Sequence, residues 1–172
     1  MFKMKTLVRM MVVLALIAVN IKPATAQQSK ADKKASLAAD VKQMIDSKKF
    51  TFQANNMYPA YGGLRYLNTT YDVTVTADSV ISYLPYFGEV YSGAGYNSST
   101  DNGIKFTSTD FDYKSQQAKN GSWNVVIKPK DVGNATQLLF TVQTNGRTDL
   151  AVISQNRQRI RFDGYLKEQA KK

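Results

Sequence analysis

From residue 49 onward, apolar and polar side chains alternate one by one, and Asn-Gly, Asp-Ser and Gly-rich steps interrupt the alternation at short intervals. A period of two is the mark of strands with one face in a core. It predicts eight strands, at 49–53, 64–76, 80–87, 104–113, 122–128, 137–144, 148–154 and 158–162. Parallel crossovers with their helices do not fit between them, so the strands are expected to run antiparallel in a meander. Asn120-Gly121 and Asn145-Gly146 are expected as two-residue hairpin turns, because Asn tolerates and Gly freely adopts the left-handed conformation. The inward set is Val73 and Val75; Ile104 and Phe106; Trp123, Val125 and Ile127; Leu138, Phe140 and Val142; Leu150 and Val152; Ile160 and Phe162. Between Phe106 and Phe111 the apolar positions change parity, which calls for a bulge or bend at 107–110.

Ahead of the strands the period is helical. Leu37, Val41, Met44 and Ile45 recur on one side of a segment at 31–47, with Lys42, Asp46 and Lys48 on the other. A basic amphipathic helix suits a membrane surface, but Asp32, Asp40 and Asp46 interrupt the basic face, so the helix is expected to pack on the sheet. A meander of eight strands leaves two edges open to aggregation, and closure removes them. The expected fold is therefore mainly β: a small barrel or curved half-barrel, lipocalin-like in outline, with one N-terminal helix packed on it. A two-sheet β-sandwich is the alternative.

The first 26 residues follow a different logic. Lys3, Lys5 and Arg9 precede an apolar run over 10–19, and Ala24-Thr25-Ala26 offers the small residues of a cleavage site, the three parts of a secretory signal. The run is shorter than the roughly 20 apolar residues that a membrane span needs. The expected organisation is a cleavable signal peptide at 1–26, a flexible leader and amphipathic helix at 27–48, an antiparallel β domain at 49–166 and a charged tail at 167–172. The product is expected to be exported and soluble, in the periplasm or outside the cell, with no transmembrane segment after cleavage. Removing Lys3, Lys5, Arg9 and Lys22 from a chain of net charge +10 leaves +6, a modest basic excess.

Composition narrows the chemistry further. The 172 residues include no His and no Cys, which excludes Ser-His-Asp and Cys-His mechanisms and the N/S ligand sets of zinc and copper sites. No metal and no cofactor is expected. Without disulfides, an exported chain rests on its apolar core alone.

The run over 49–166, with KFTFQANNMYP, YDVTVTADSVISYLPYFGEVYSGAGYN, NGIKFTS, WNVVIKPK, NGR and QRIRFDGYL, resembles the domain of unknown function 4251 family of exported bacterial proteins. The most specific strings are Leu84-Pro85-Tyr86-Phe87-Gly88 and Ile160-Arg161-Phe162-Asp163-Gly164. The resemblance implies an exported β-rich domain of the Bacteroidetes type. It brings no activity and no catalytic residues, so no site is carried across.

Candidate sites come from the residues themselves. Eight of the ten Tyr fall between Tyr58 and Tyr96, among Gly62, Gly63, Gly88, Gly93 and Gly95. Tyr58, Tyr61, Tyr86, Tyr91 and Tyr96 are candidates to line a rim that holds a lipid or other small amphipathic ligand, against the plainer reading that they cap the core. The stretch 80–87 is nearly continuous in apolar character, so both its faces are expected to be covered, by the helix or by an envelope protein that meets Tyr83, Leu84 and Phe87. Arg157, Arg159 and Arg161 alternate on the last strand, a ladder that suits anions or simply guards an edge. Nucleic acid is not expected, given the export signal and nearby Asp149 and Asp163. Asp110 and Asp112 share a face, but nothing in the sequence fixes the carboxylate separation that glycoside hydrolysis needs. The leading expectation is an exported non-catalytic domain, not an enzyme, that binds a hydrophobic or amphipathic small ligand. The alternative is a cell-envelope interaction or scaffold module.

Overall fold

The computed structural model describes residues 30–89, 103–133 and 136–169. The chain divides after Asp32 into two units. Only the first residues of the helix are described in the smaller unit, and the larger one holds the rest of the helix and all the described strands.

Helix α1 (Lys30–Asp46) precedes nine strands: β1 (Phe50–Tyr58), β2 (Arg65–Val75), β3 (Val80–Leu84), β4 (Ile104–Ser108), β5 (Phe111–Gln117), β6 (Trp123–Pro129), β7 (Gln137–Val142), β8 (Arg147–Ser154) and β9 (Arg157–Lys167). They form a single antiparallel sheet in the order β4-β3-β2-β1-β9-β8-β7-β6-β5. The two end strands follow each other in the chain with only Thr109 and Asp110 between them, so the sheet curls into a nearly closed barrel. One sheet, not the alternative sandwich of two, is what this sequence forms.

The bend that the parity change calls for lies at Thr109-Asp110, and it splits the expected strand 104–113 into β4 and β5. Asp131 holds it. Its carboxylate accepts hydrogen bonds from the Ser108 hydroxyl, from the Thr109 amide at 2.8 Å and from the Asp110 amide at 3.2 Å. The Lys130 amide donates to the Asp110 carbonyl at 2.8 Å. The Ser108 hydroxyl, followed by these amides, holds the Asp131 carboxyl down at about 2.

Every residue expected to point inward is buried except Phe106, which is half-buried against the core. Phe50, Phe52, Phe140 and Phe162 are fully enclosed, and Phe140 presents an edge-to-face contact to both Phe50 and Phe52 at 5.9 Å. Aromatic side chains of this size fill the interior of a small barrel. Helix α1 adds Val41 and Ile45 to the same core, each burial stabilising by about 1.5–3 kcal/mol. Its end is tied to the sheet: the Tyr113 hydroxyl donates to the Ile45 carbonyl at 2.9 Å, and the Lys42 and Lys48 ammonium groups lie over the Trp123 and Tyr113 rings at 5.7 and 5.3 Å. Burial, with Asp46 adding to it, raises the Tyr113 pKa.

Three local expectations are corrected. The hairpins at Asn120-Gly121 and Asn145-Gly146 have three-residue loops, closed by Ala118 with Ser122 and by Gln143 with Arg147. Only the Gly takes a positive φ, 83° at Gly121 and 82° at Gly146, and each Asn carboxamide instead accepts the amide two residues on. Second, β1 and β9 reach Tyr58 and Lys167, well beyond the predicted ends at 53 and 162. Asn55 forms a bulge between them, and the polar run after Ala54 hides the strand from a period-two reading. Third, the stretch 80–87 is covered on one face only. Strand β3 alternates from buried to exposed and ends before Pro85, Ser82 takes an inward place, and Ile81 and Tyr83 face out.

Candidate functional site

The rim residues do not share one environment. Tyr91 and Tyr96 lie outside the described residues. Tyr61 is 74% exposed in the bend after β1, where Gly62 and Gly63 have positive φ. Tyr86 is 8% exposed, and its hydroxyl lies 2.8 Å from the Glu89 carbonyl and 3.2 Å from that of Gln158. It anchors the segment after β3 to β9 and does not face solvent as a rim residue should. Tyr58 approaches the Asp163 carboxylate at 3.4 Å, and burial, followed by the Asp163 charge, raises its pKa. Tyr66, at 76%, and Tyr165, at 46%, are exposed aromatic side chains outside the predicted rim and docking residues.

Of the three docking residues, Leu84 is fully buried in the core, while Tyr83 and Phe87 are exposed. Both exposed rings carry a cation. The Lys105 ammonium sits 4.4 Å from the Tyr83 ring, which also stacks on Tyr71 at 5.6 Å, and the Arg65 guanidinium sits 4.5 Å from the Phe87 ring.

The arginine ladder is interrupted: the register of β8 with β9 shifts between Val152 and Ser154, so that Arg161 stands opposite Ala151 but Arg157 opposite Ser154. Arg157 lies over the Tyr86 ring at 5.1 Å and reaches the Gly103 carbonyl at 3.3 Å. Arg161 lies over the Tyr58 ring at 5.8 Å and pairs with Asp149 at 3.8 Å. Arg159 is exposed. Beside them is a network that the sequence does not announce. Asp163, buried on the outward side of β9, takes a hydrogen bond from the Asn56 carboxamide at 2.7 Å and meets Arg147 at 3.6 Å.

Among the described residues, two hollows on the barrel wall are large enough to hold a small molecule. The larger, about 1030 Å³, runs between α1 and the outward sides of β1, β2 and β3, lined by Leu37, Met44, Thr51, Thr74, Ile81 and Leu166 among others. The smaller, about 430 Å³, crosses β6 to β9 beside Arg159 and Arg161. Neither is lined by Tyr58, Tyr61 or Tyr86. The acidic pair is an ordinary surface arrangement: Lys130 lies 2.7 Å from Asp112 and 3.8 Å from Asp110, and its hydrogen bond holds the Asp112 carboxyl below the usual range.

Residues 32–166 match the model of the family described as Domain of unknown function (DUF4251). The chain belongs to this family. A crystal structure of a family member from Bacteroides eggerthii superposes with a TM-score of 0.60 at 17% identity, covering 78% of this chain and 91% of that one. At that identity the likeness is one of fold. No curated protein matches the chain. The family match ends at residue 166, so it takes in Asp163 and Gly164, where β9 meets the bulge of β1.

Proposed function

We propose that this chain is an exported, non-catalytic binding domain whose ligand, hydrophobic or amphipathic, lies against the outside of the barrel between α1 and strands β1 to β3. The observation that carries this reading is the hollow of about 1030 Å³ into which Leu37 and Ile81 expose apolar surface, at 48% and 42%. Its volume is at the upper end for pockets that take drug-sized molecules. Asp40, Lys49 and Glu168 at its margin suit a ligand with a polar end. The aromatic filling of the interior argues against a ligand inside the barrel. Export is supported by the three-part N-terminal segment, and a non-catalytic role by the absence of His and Cys and by the engagement of Asp110 and Asp112 with Lys130.

Nile red, which is uncharged, tests the site. Its fluorescence should rise on adding the purified protein and should lose most of that rise with the Leu37→Asp, Ile81→Asp double variant. No rise, or a rise unchanged in the variant, overturns the reading.

A second reading, an interaction module of the cell envelope, is favoured by one observation: Tyr83 and Phe87 present exposed rings on neighbouring segments. A photo-cross-linker placed at Tyr83 should then trap one defined protein in cells, and an empty trap counts against docking there.

A further inference from the structure

The outward side of the β6 to β9 wall is more ordered in its chemistry than packing of the barrel requires. Side chains there fall into rows set by the strand register. One row is polar, Asn124 beside Thr141 beside Asp149 beside Asp163. The next is apolar and ends on a cation: Val126, Leu139 and Ala151, then Arg161. The hollow of about 430 Å³ lies over these two rows.

The charges along its edge do not cancel. Asp149 and Asp163 stand directly opposite each other on β8 and β9, a pairing of like charges that is unfavourable by itself. Arg161 on Asp149, at 3.8 Å, and Arg147 on Asp163, at 3.6 Å, offset it one for one. Arg159 is left over. It is exposed, it stands two residues and so about 7 Å from Arg161 on the same side of β9, and among the described residues it pairs with no carboxylate. Arg161 is held between Asp149 and the Tyr58 ring, so little freedom is lost when it meets a ligand.

We propose that this hollow is a site for a small molecule with one anionic head, a carboxylate or a phosphate, and a short apolar body. Arg159 and Arg161 take the head, because a guanidinium fork matches two oxygens of either group. The apolar body lies across Ala151, Leu139 and Val126, three neighbouring strands that span roughly 10 Å at the usual strand spacing. Asp149 on the adjacent row disfavours a second negative charge along the body. This site is separate from the hollow beside α1 and does not depend on its occupant.

Octanoate and octyl phosphate, added to isotope-labelled protein and followed by amide NMR, test the proposal. Saturable shifts at Ala151, Leu139 and Arg159 are expected from at least one of them, and which one binds tells a carboxylate site from a phosphate site. Arg159→Gln should weaken that binding about tenfold or more, as expected for loss of a charge-assisted contact. Arg157→Gln, on the same strand but turned to Tyr86, and Leu37→Asp, in the other hollow, should leave it within about twofold, the range of a surface change that removes no contact. Shifts confined to the α1 hollow, affinity unchanged in Arg159→Gln, or no shift from either probe overturns the assignment.

Discussion

At Gly164 the backbone of β1 passes so close that a Cβ built there would lie 1.9 Å from the Gln53 carbonyl oxygen and 2.9 Å from its carbon. The neighbour is main chain in a paired strand and has no rotamer by which to yield. Gly164→Ala is therefore expected to lower stability by about 3 kcal/mol or more, at the upper end for overpacking, with urea denaturation as the measurement. A change of less than about 1 kcal/mol would mean that β1 and β9 shift apart freely. The last predicted strand ends at 162, just before Asp163-Gly164. In the fold both residues lie inside β9, the glycine to admit β1 and the aspartate to meet Asn56 and Arg147. Tyr86 gives the opposite lesson: a residue suited to a rim is spent on anchoring a loop, because its hydroxyl finds two carbonyls from segments far apart in the chain.

Between elements, the decisive joint is the corner where β4 becomes β5. Asp131, from the segment after β6, gathers the Ser108 hydroxyl and two amides and so holds the bend between the two end strands of the sheet. Its carboxyl is held at about 2, below the value near 3.8 of an unfolded chain. A carboxyl depressed in this way contributes stability above its unfolded value, and that contribution fades as pH falls from about 4 toward 2. Acid titration followed by circular dichroism should show wild type losing stability across that window, while Asp131→Asn, already less stable at neutral pH, should show a flatter dependence there. Equal slopes would remove Asp131 from the corner's stability. The same element pair shows how far periodicity reaches. The change of parity at 107–110 marks the bend, but not the aspartate some twenty residues later that secures it. Likewise, the spacing of Val41 and Ile45 predicts a helix that buries one side, and only the tertiary structure supplies Tyr113 as its tether.

For the whole domain, a nearly closed sheet with one continuous core should unfold as a unit. Trp123, the single tryptophan and buried beneath Lys42, reports on the core, while far-ultraviolet circular dichroism reports on the strands. Their urea transitions should coincide in midpoint and slope, and two separated transitions would show that part of the barrel stands alone. The strands in outline, the inward set and the helix are legible from alternation, because burial on one side of a strand or helix is a local property written with period 2 or 3.6. The short connections give the antiparallel pairing; the far ends of β1 and β9 are not legible in this way. The absence of His and Cys likewise settles from composition which catalytic chemistries are closed to the chain. The sites are another matter. Asn56 and Asp163 are 107 residues apart, Leu37 and Ile81 belong to different elements, and Arg159 and Leu139 meet only through β8. Which outward side chains share a row depends on strand order and register, and these are fixed by the curl of the whole sheet and by the bulge at Asn55, not by any one segment.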